Sequence, residues 1–185
     1  MLYPEQGDWT VDEYLDLPGN RLVEYTNGRL EFLPMPTPAH QWIVGILLSL
    51  LQRFAYPRLG LALHALPIRL GPRMFRMPDI VFMLKKNKAN MGKQYWVGAD
   101  LVMEVVSPGK RSRERDLVSK RKEYAHAGIA EYWIIEPKVH RITVLHLKEK
   151  SYVQVGVFKK GGQAESRLLP GFVVDVDAVF ADWKA

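Results

Sequence analysis

The chain has 185 residues, 48% of them hydrophobic and 25% charged, a composition typical of one globular domain with a sizeable core. It contains no cysteine, which excludes disulfides, thiolate metal ligands and cysteine nucleophiles and fits a reducing cytoplasm. The net charge of +6 favours a polyanionic partner, and the longest apolar run, WIVGILLSLL, is too short to span a bilayer. We therefore expect a cytoplasmic protein with no membrane segment, forming a single domain over residues 1–185.

The N-terminal third shows three local signals. Thr10 and Glu13 have the spacing of a capping box, which predicts a short helix in VDEYLDL. Asn27-Gly28 separates RLVEY from RLEFL and predicts a two-residue hairpin turn. From about Ala39 to Tyr56 apolar residues recur at helical spacing, which predicts a long core helix.

The remaining segments alternate between strand and helix patterns. LALHALPIRL and PDIVFML are predicted strands joined by a turn at GPRMFRM, and a lysine-rich loop over 85–98 leads to a further strand in DLVMEVVSPG. A helix is predicted from about Ser112 to Ala127, ended by Gly128. Three strands (EYWIIE, RITVLHL, YVQVGVF), a short strand (FVVDV) and a short helix (DAVFADW) complete the chain. This order predicts a mixed β-sheet flanked by helices, in the α/β class and bordering on α+β.

Glu104 lies inside an apolar strand. Alternation places Leu101, Met103 and Val105 on one face and Glu104 on the other, and both faces are apolar enough to be covered. A buried carboxylate requires a cation or a proton. Asp79 lies 25 positions earlier, about the length of a strand, a loop and a returning strand, so the two carboxylates can meet and share a divalent ion. Alternatively, Asp79 is a turn residue and Glu104 pairs with a nearby Arg or Lys.

The helix after this strand carries a lysine on its packed side. Taking about 100° per residue, Lys120 lies roughly 60° from Leu117, inside the apolar arc. From there its ammonium group could reach the carboxylates. It could equally snorkel to solvent and pair with Asp116 at i, i+4.

Basic residues are concentrated in residues 110–122, which hold seven basic and two acidic side chains. Lys110, Arg111 and Arg113 in this segment, with Arg76 before the first acidic strand, are our candidates for nucleic-acid contacts. Any one such cluster could instead be a solvated face.

Together these motifs resemble the PD-(D/E)XK nuclease superfamily, in which a Pro-Asp begins one strand, an acidic residue lies in the next and a lysine is nearby. More specifically, residues from about Leu22 to Pro137 are similar to the Uma-type restriction-endonuclease-like family. The segments that carry the resemblance are RLVEYTNGRLEF, PTPAHQ, MPDIVFM, GADLVMEVVSPG and DLVSKRKEYAHAGIAEYWIIEP.

The resemblance implies a phosphodiesterase that requires Mg²⁺ or Mn²⁺. The implied metal ligands are Asp79, Glu104 and the backbone carbonyl of Val105, with Glu24 as an acidic position that can complete the site. Val106 occupies the position two residues after Glu104 where the superfamily has its lysine, so Lys120 on the next helix is the implied catalytic lysine.

Three further residues are implied to support the site. Asp116 would position Lys120, and Tyr124 would pack beneath it. His40 would line the cleft; alternatively, it is a hydrogen-bonded structural histidine. The implied partner is double-stranded DNA, cut by a homodimer because the chain has no separate recognition domain.

Two other functions remain open at this point. Val106 at the lysine position favours a non-catalytic nucleic-acid-binding protein that retains the fold. A structural protein that dimerises through its C-terminal strands and the EYWII aromatics is the third alternative.

Overall fold

The computed structural model describes residues 4–18, 22–107 and 114–181, apart from the side chain of Asp116. The helices of these residues are α1 (Val11–Leu15), α2 (Pro38–Ala55), α3 (Lys120–His126) and α4 (Val176–Phe180). The first eight strands are β1 (Val23–Thr26), β2 (Arg29–Phe32), β3 (Gly60–His64), β4 (Ile68–Gly71), β5 (Met74–Arg76), β6 (Ile80–Leu84), β7 (Trp96–Val97) and β8 (Leu101–Val105). The last five are β9 (Glu131–Glu136), β10 (Arg141–Lys148), β11 (Ser151–Phe158), β12 (Gln163–Glu165) and β13 (Val173–Asp175). None of the described helices is long and apolar enough to cross a membrane.

Within the described residues the strands form three sheets. The six-stranded sheet has the order β11-β10-β9-β8-β6-β3, the five-stranded sheet has the order β2-β1-β5-β4-β7, and β12 pairs with β13. In the six-stranded sheet β8 is parallel to β9 but antiparallel to β6, so the sheet is mixed. The predicted mixed sheet with flanking helices is confirmed, and its antiparallel hairpins place it in the α+β class.

The two faces of β8 are covered by different apolar clusters. Leu101, Met103 and Val105 pack in the cluster that contains Leu47 and Leu51 of α2. Val102 and Val106 belong to the cluster that contains Tyr124 of α3. Because side chains alternate, Glu104 points toward α3, the helix that carries Lys120.

Local signals at the N-terminus predicted the structure correctly. Thr10 Oγ1 accepts a hydrogen bond from the N–H of Glu13 (3.2 Å), and the Glu13 carboxylate accepts one from the N–H of Thr10 (2.8 Å). The Asn27-Gly28 turn joins β1 to β2, with positive φ at both residues, 48° and 85°. Both the capping box and the hairpin are therefore confirmed.

The LALHALPIRL segment forms two strands instead of the predicted single strand. Ala65 has a φ of +47° and Pro67 follows it, so the extended conformation is interrupted after β3. The chain then enters the other sheet as β4. The predicted turn at GPRMFRM is shorter than expected, because β5 already begins at Met74.

The EYWII aromatics do not form a dimer surface. They lie in β9, between β8 and β10, and Tyr132 and Trp133 are fully buried.

Of the two strands in the β12–β13 pair, only β13 was predicted, from FVVDV. The strand over residues 163–165 was not predicted.

Glu131 connects this central strand to the C-terminal segment. Its carboxylate is fully buried and accepts hydrogen bonds from Trp133 Nε1 (2.7 Å), Ser166 Oγ (2.6 Å) and the backbone N–H groups of Arg167 (2.7 Å) and Leu168 (2.8 Å). Neutral donors can satisfy a buried carboxylate when they are as numerous as this.

Candidate active site

Strand pairing brings the two predicted carboxylates together. β6 and β8 are antiparallel with Ile80 opposite Met103, which places Asp79, one residue before β6, next to Glu104. Asp79 Oδ2 accepts a hydrogen bond of 2.7 Å from the N–H of Val105 and lies 3.2 Å from His40 Nε2. The Pro-Asp therefore directs its side chain across to the neighbouring strand.

A cavity of about 60 Å³ is bordered by the predicted site residues. Its lining includes Asp79, Glu104, Val105, Lys120 and His40. A water molecule has a share of liquid volume of about 30 Å³, so the cavity can hold a small hydrated ion or a few waters.

Lys120 lies between two carboxylates. Its side chain is 2% exposed, and Nζ is 2.8 Å from Glu104 Oε1 and 3.2 Å from Glu24 Oε1. The Tyr124 hydroxyl donates a hydrogen bond of 2.6 Å to the same Glu104 oxygen. Burial and the negative charges of Glu104 and Glu24 raise the pKa of Tyr124 well above its usual value, so the hydroxyl keeps its proton and remains a donor.

A π-helical turn over Arg115–Ser119 leads directly into Lys120, whose N–H donates to the carbonyl of Arg115. Such a turn accommodates one extra residue and changes the direction in which the preceding side chains point. Ideal α-helical geometry predicts that Lys120 lies on the packed side, as observed. It does not predict the direction of Arg115, because Arg115 lies in the π-helical turn. Arg115 also lines the cavity, which was not predicted.

Glu24 is held by two cations. It is 1% exposed, accepts a hydrogen bond of 3.2 Å from the N–H of Met77, and has Arg76 Nε 3.6 Å from its Oε2. Burial raises the pKa of Glu24, but the charges of Lys120 and Arg76 lower it more, so the net pKa lies below its ordinary value. Within the described residues its buried Oε2 accepts no hydrogen bond, which leaves that atom able to take a further ligand.

Arg76 was predicted to contact nucleic acid, and its environment does not suit that role. The residue is 8% exposed, and its guanidinium donates to both carboxylate oxygens of Glu123 at 2.7 and 2.8 Å. It also donates to the Thr26 hydroxyl at 2.8 Å. These internal partners make Arg76 a support for Glu24, so we leave it out of the nucleic-acid surface. Glu123 was not predicted, because it lies on helix α3 and its partner Arg76 lies on the distant strand β5.

His40 is placed at the cavity by the beginning of α2. Thr37 is the N-cap, Pro38 follows it, and the Thr37 hydroxyl accepts the N–H of His40 (3.2 Å). Burial lowers the pKa of His40, but the hydrogen bond and charge of Asp79, together with the charge of Glu104, raise it more, so the net pKa is raised. Within the described residues the buried Nδ1 has no hydrogen-bond partner.

Val106, at the expected lysine position, is 8% exposed and packs in the apolar cluster beside α3. It lies on the same face of the strand as Glu104, which is also the face that Lys120 approaches. Lys120 of helix α3 therefore supplies an ammonium on the face of β8 where a lysine at position 106 would lie. Lys110, Arg111, Arg113 and the Asp116 side chain, also predicted to contribute, lie outside the described residues.

The available ligands match the coordination preference of a hard, partly hydrated cation. Mg²⁺ retains several waters and is held by one or two carboxylates, whereas a site made only of protein ligands needs more. Asp79, Glu104 and Val105 border one cavity, and Oε1 of the buried Glu24 is 3.2 Å from Lys120 Nζ. Among the described residues no three His, Asp or Glu side chains form a metal site by themselves. The two carboxylates at the cavity are the oxygen donors that would hold such an ion.

The mixed sheet with its flanking helices has a counterpart among solved structures. The fold is similar to the crystal structure of a putative nuclease belonging to DUF820 from Anabaena variabilis ATCC 29413, with a TM-score of 0.73 and 20% sequence identity. The match covers 94% of this chain and 98% of the other. At this identity the likeness concerns the fold alone.

The family follows from the sequence itself. Residues 11–177 match the Uma2 family, described as "Putative restriction endonuclease", and the chain belongs to this family. The resemblance seen in the sequence is thereby confirmed. No curated protein matches the chain.

Proposed function

We propose that this protein is a divalent-metal-dependent endonuclease that hydrolyses phosphodiester bonds in DNA. The observation that carries the proposal is the cavity in which Asp79 and Glu104 lie together with the buried ammonium of Lys120. A structural ion pair would not need a second carboxylate that opens onto the same cavity. Membership of the Uma2 family supports the same reaction class.

Asp79, Glu104 and the carbonyl of Val105 are the proposed ligands of Mg²⁺ or Mn²⁺, and Glu24 is a further candidate. When bound, such an ion would lower the pKa of a coordinated water and polarise the scissile phosphate. His40 and the N–H of Val105 hold the Asp79 carboxylate in place, while Tyr124 holds Glu104.

Lys120 is proposed to stabilise the negative charge that develops on the phosphate during hydrolysis. Its fixed position between two carboxylates means that it needs no reorganisation when the charge appears. A charge acts more strongly from a buried ammonium, such as that of Lys120 at 2% exposure, than from one in water.

The test is cleavage of supercoiled plasmid and linear duplex DNA in Mg²⁺ or Mn²⁺. Asp79→Ala, Glu104→Ala and Lys120→Ala should each reduce the rate by about 100-fold or more, the size of effect seen when a charge-stabilising group is removed. Lys122→Ala, an exposed lysine on the same helix, is the matched control and should cleave like the unmodified protein. Unchanged cleavage by all three site variants would refute the proposed site.

Val106 gives a specific reason to retain a second candidate, a non-catalytic nucleic-acid-binding protein. Salt-dependent DNA binding without cleavage in either metal would favour this function over the first. The absence of any salt-dependent binding would exclude both and favour a structural role.

We further propose that the enzyme works as a homodimer in the cytoplasm. One cavity serves one strand, so cutting both strands of duplex DNA requires two copies of the chain. Light scattering of the purified protein alone should give a mass twice that of the 21.3 kDa chain, and addition of duplex DNA should raise it by the mass of one duplex.

A further inference from the structure

A larger cavity adjoins the proposed catalytic one. It has a volume of about 660 Å³, within the range typical of small-molecule sites, and its lining includes Thr26, Arg29, Phe32, Pro34 and Arg115. Pro34 and Arg115 also line the catalytic cavity. The two spaces therefore share a wall, and a strand whose phosphate lies in the first can extend into the second.

Phe32 is an unusually exposed aromatic residue beside this cavity. It is 69% exposed at the end of β2, an edge strand of the five-stranded sheet. An aromatic ring costs hydrophobic free energy when it is left in water. Nucleobases stack on exposed aromatic rings, and this stacking tolerates any base.

Two arginines provide the charge that a nucleotide requires. Arg29 is exposed at the beginning of β2, and Arg115 reaches the same cavity from the π-helical turn. Arg115 Nη1 is 3.4 Å from Glu31 Oε1, an ion pair with a half-exposed carboxylate. The Glu31 end of this pair is half exposed, so a phosphate can compete with Glu31 for Nη1, while Arg115 also interacts with the charge of Glu24.

We propose that the larger cavity binds an unpaired nucleotide of the substrate, with its base stacked on Phe32 and its phosphates on Arg29 and Arg115. The proposal rests on the proposed function and adds a preference to it: among DNA substrates, those with an unpaired base next to the scissile phosphate bind most tightly. Inside a fully paired duplex no base face is free for Phe32, since each base is stacked on both sides by its neighbours.

Binding in EDTA tests this without any cleavage. The probe is a fluorescein-labelled 12-nucleotide oligothymidylate, with an abasic 12-mer and a fully paired 12-base-pair duplex for comparison. Phe32→Ala should weaken oligothymidylate binding by roughly 5- to 150-fold, the range for loss of one stacked base. Phe32→Trp should retain the affinity, and Phe32→Ala should have no effect on the abasic strand. Because Phe32 is largely exposed, its replacement should leave the fold intact.

The arginines are tested by the salt dependence of the same binding. Arg29→Ala should reduce the slope of log K against log salt by about 0.7, the value for one phosphate contact on a single strand. Arg53→Ala is the matched control, because this exposed arginine lies near the other end of α2 from His40. It should leave the slope unchanged.

Failure of this inference can be told apart from failure of the proposed function. Equal oligothymidylate affinities for Phe32→Ala and the unmodified protein, or an equal loss on the paired duplex, would overturn the nucleotide site even if plasmid is cleaved. Conversely, the expected stacking and salt effects in a protein that cleaves nothing would support the nucleotide site and refute the nuclease.

Discussion

Lys120 is a cation enclosed by acidic side chains. At 2% exposure, its ammonium compensates both Glu104 and Glu24, and no water is needed to stabilise the three charges. Removing one partner of a buried ion pair is far more costly than the net contribution of the pair, because the remaining charge has no compensation.

We therefore predict a large loss of stability in Lys120→Met. Glu104 would lose its buried cation and Glu24 would keep only Arg76, so the free energy of unfolding should fall by about 3–5 kcal/mol in urea titrations. Adding Glu24→Gln should recover part of this loss, because only one carboxylate then remains. Lys122→Met, on the exposed side of the same helix, should change the value by about 0.5 kcal/mol or less. A Lys120→Met variant as stable as the Lys122→Met control would show that the ammonium is dispensable to the fold.

The sequence predicted the position of a single side chain correctly where the period of a strand or a helix determines that position. Strand alternation identified Glu104 as anomalous, and helix periodicity placed Lys120 on the packed side. The burial of Arg76 could not be predicted, since its partners are distant in sequence: Glu24 comes from the paired strand β1 and Glu123 from helix α3.

Among the elements, the β1–β2 hairpin depends most closely on a single residue. Gly28 has a φ of +85°, and a Cβ built there would lie 2.1 Å from the carbonyl oxygen of Gly7. The hairpin thus packs its turn directly against the backbone of the N-terminal segment, and β2 carries Phe32 to the larger cavity.

Gly28→Ala should destabilise the protein by about 1–3 kcal/mol or more, from the strained φ and the displaced Gly7 backbone. Gly45→Ala is the matched control, since Gly45 lies inside α2 and an added Cβ there meets nothing within 4 Å. That change should instead stabilise the protein by about 0.5–1 kcal/mol. Thermal unfolding of the two variants should show shifts of opposite sign, and shifts of the same sign would contradict this account of the turn.

The π-helical turn before α3 could not be predicted from the sequence. A π-helical turn leaves no sequence signal that α-helix periodicity can detect, so Lys120 was located and Arg115 was not. The break between β3 and β4 was missed for a related reason: the apolar pattern runs through it, and only the left-handed Ala65 interrupts the extended backbone.

For the whole molecule, the C-terminal segment is fixed to the central strand β9 through Glu131. Four neutral donors converge on this carboxylate, two of them backbone N–H groups of residues 167 and 168. The charge is therefore stabilised by hydrogen bonds from the segment that it holds.

Glu131→Gln should loosen this attachment, because an amide NH₂ group cannot accept hydrogen bonds. We expect the free energy of unfolding to fall by about 3 kcal/mol and hydrogen exchange to become faster at the N–H groups of Arg167 and Leu168. Glu165→Gln is the matched control, because Glu165 is an exposed residue of β12. It should change the free energy of unfolding by about 0.5 kcal/mol or less. Unchanged exchange at Arg167 and Leu168 in Glu131→Gln would show that the segment is held by other contacts.

Glu104 also has a consequence for folding, separate from any chemistry. A shift of β8 by one residue against its neighbours would exchange its two faces and direct a carboxylate into the apolar cluster beneath α2. The correct alignment provides Lys120 and Tyr124 as partners, whereas the shifted one provides only hydrocarbon. An otherwise apolar strand such as LVMEV would tolerate slippage, so this one acidic residue selects the native alignment of the sheet.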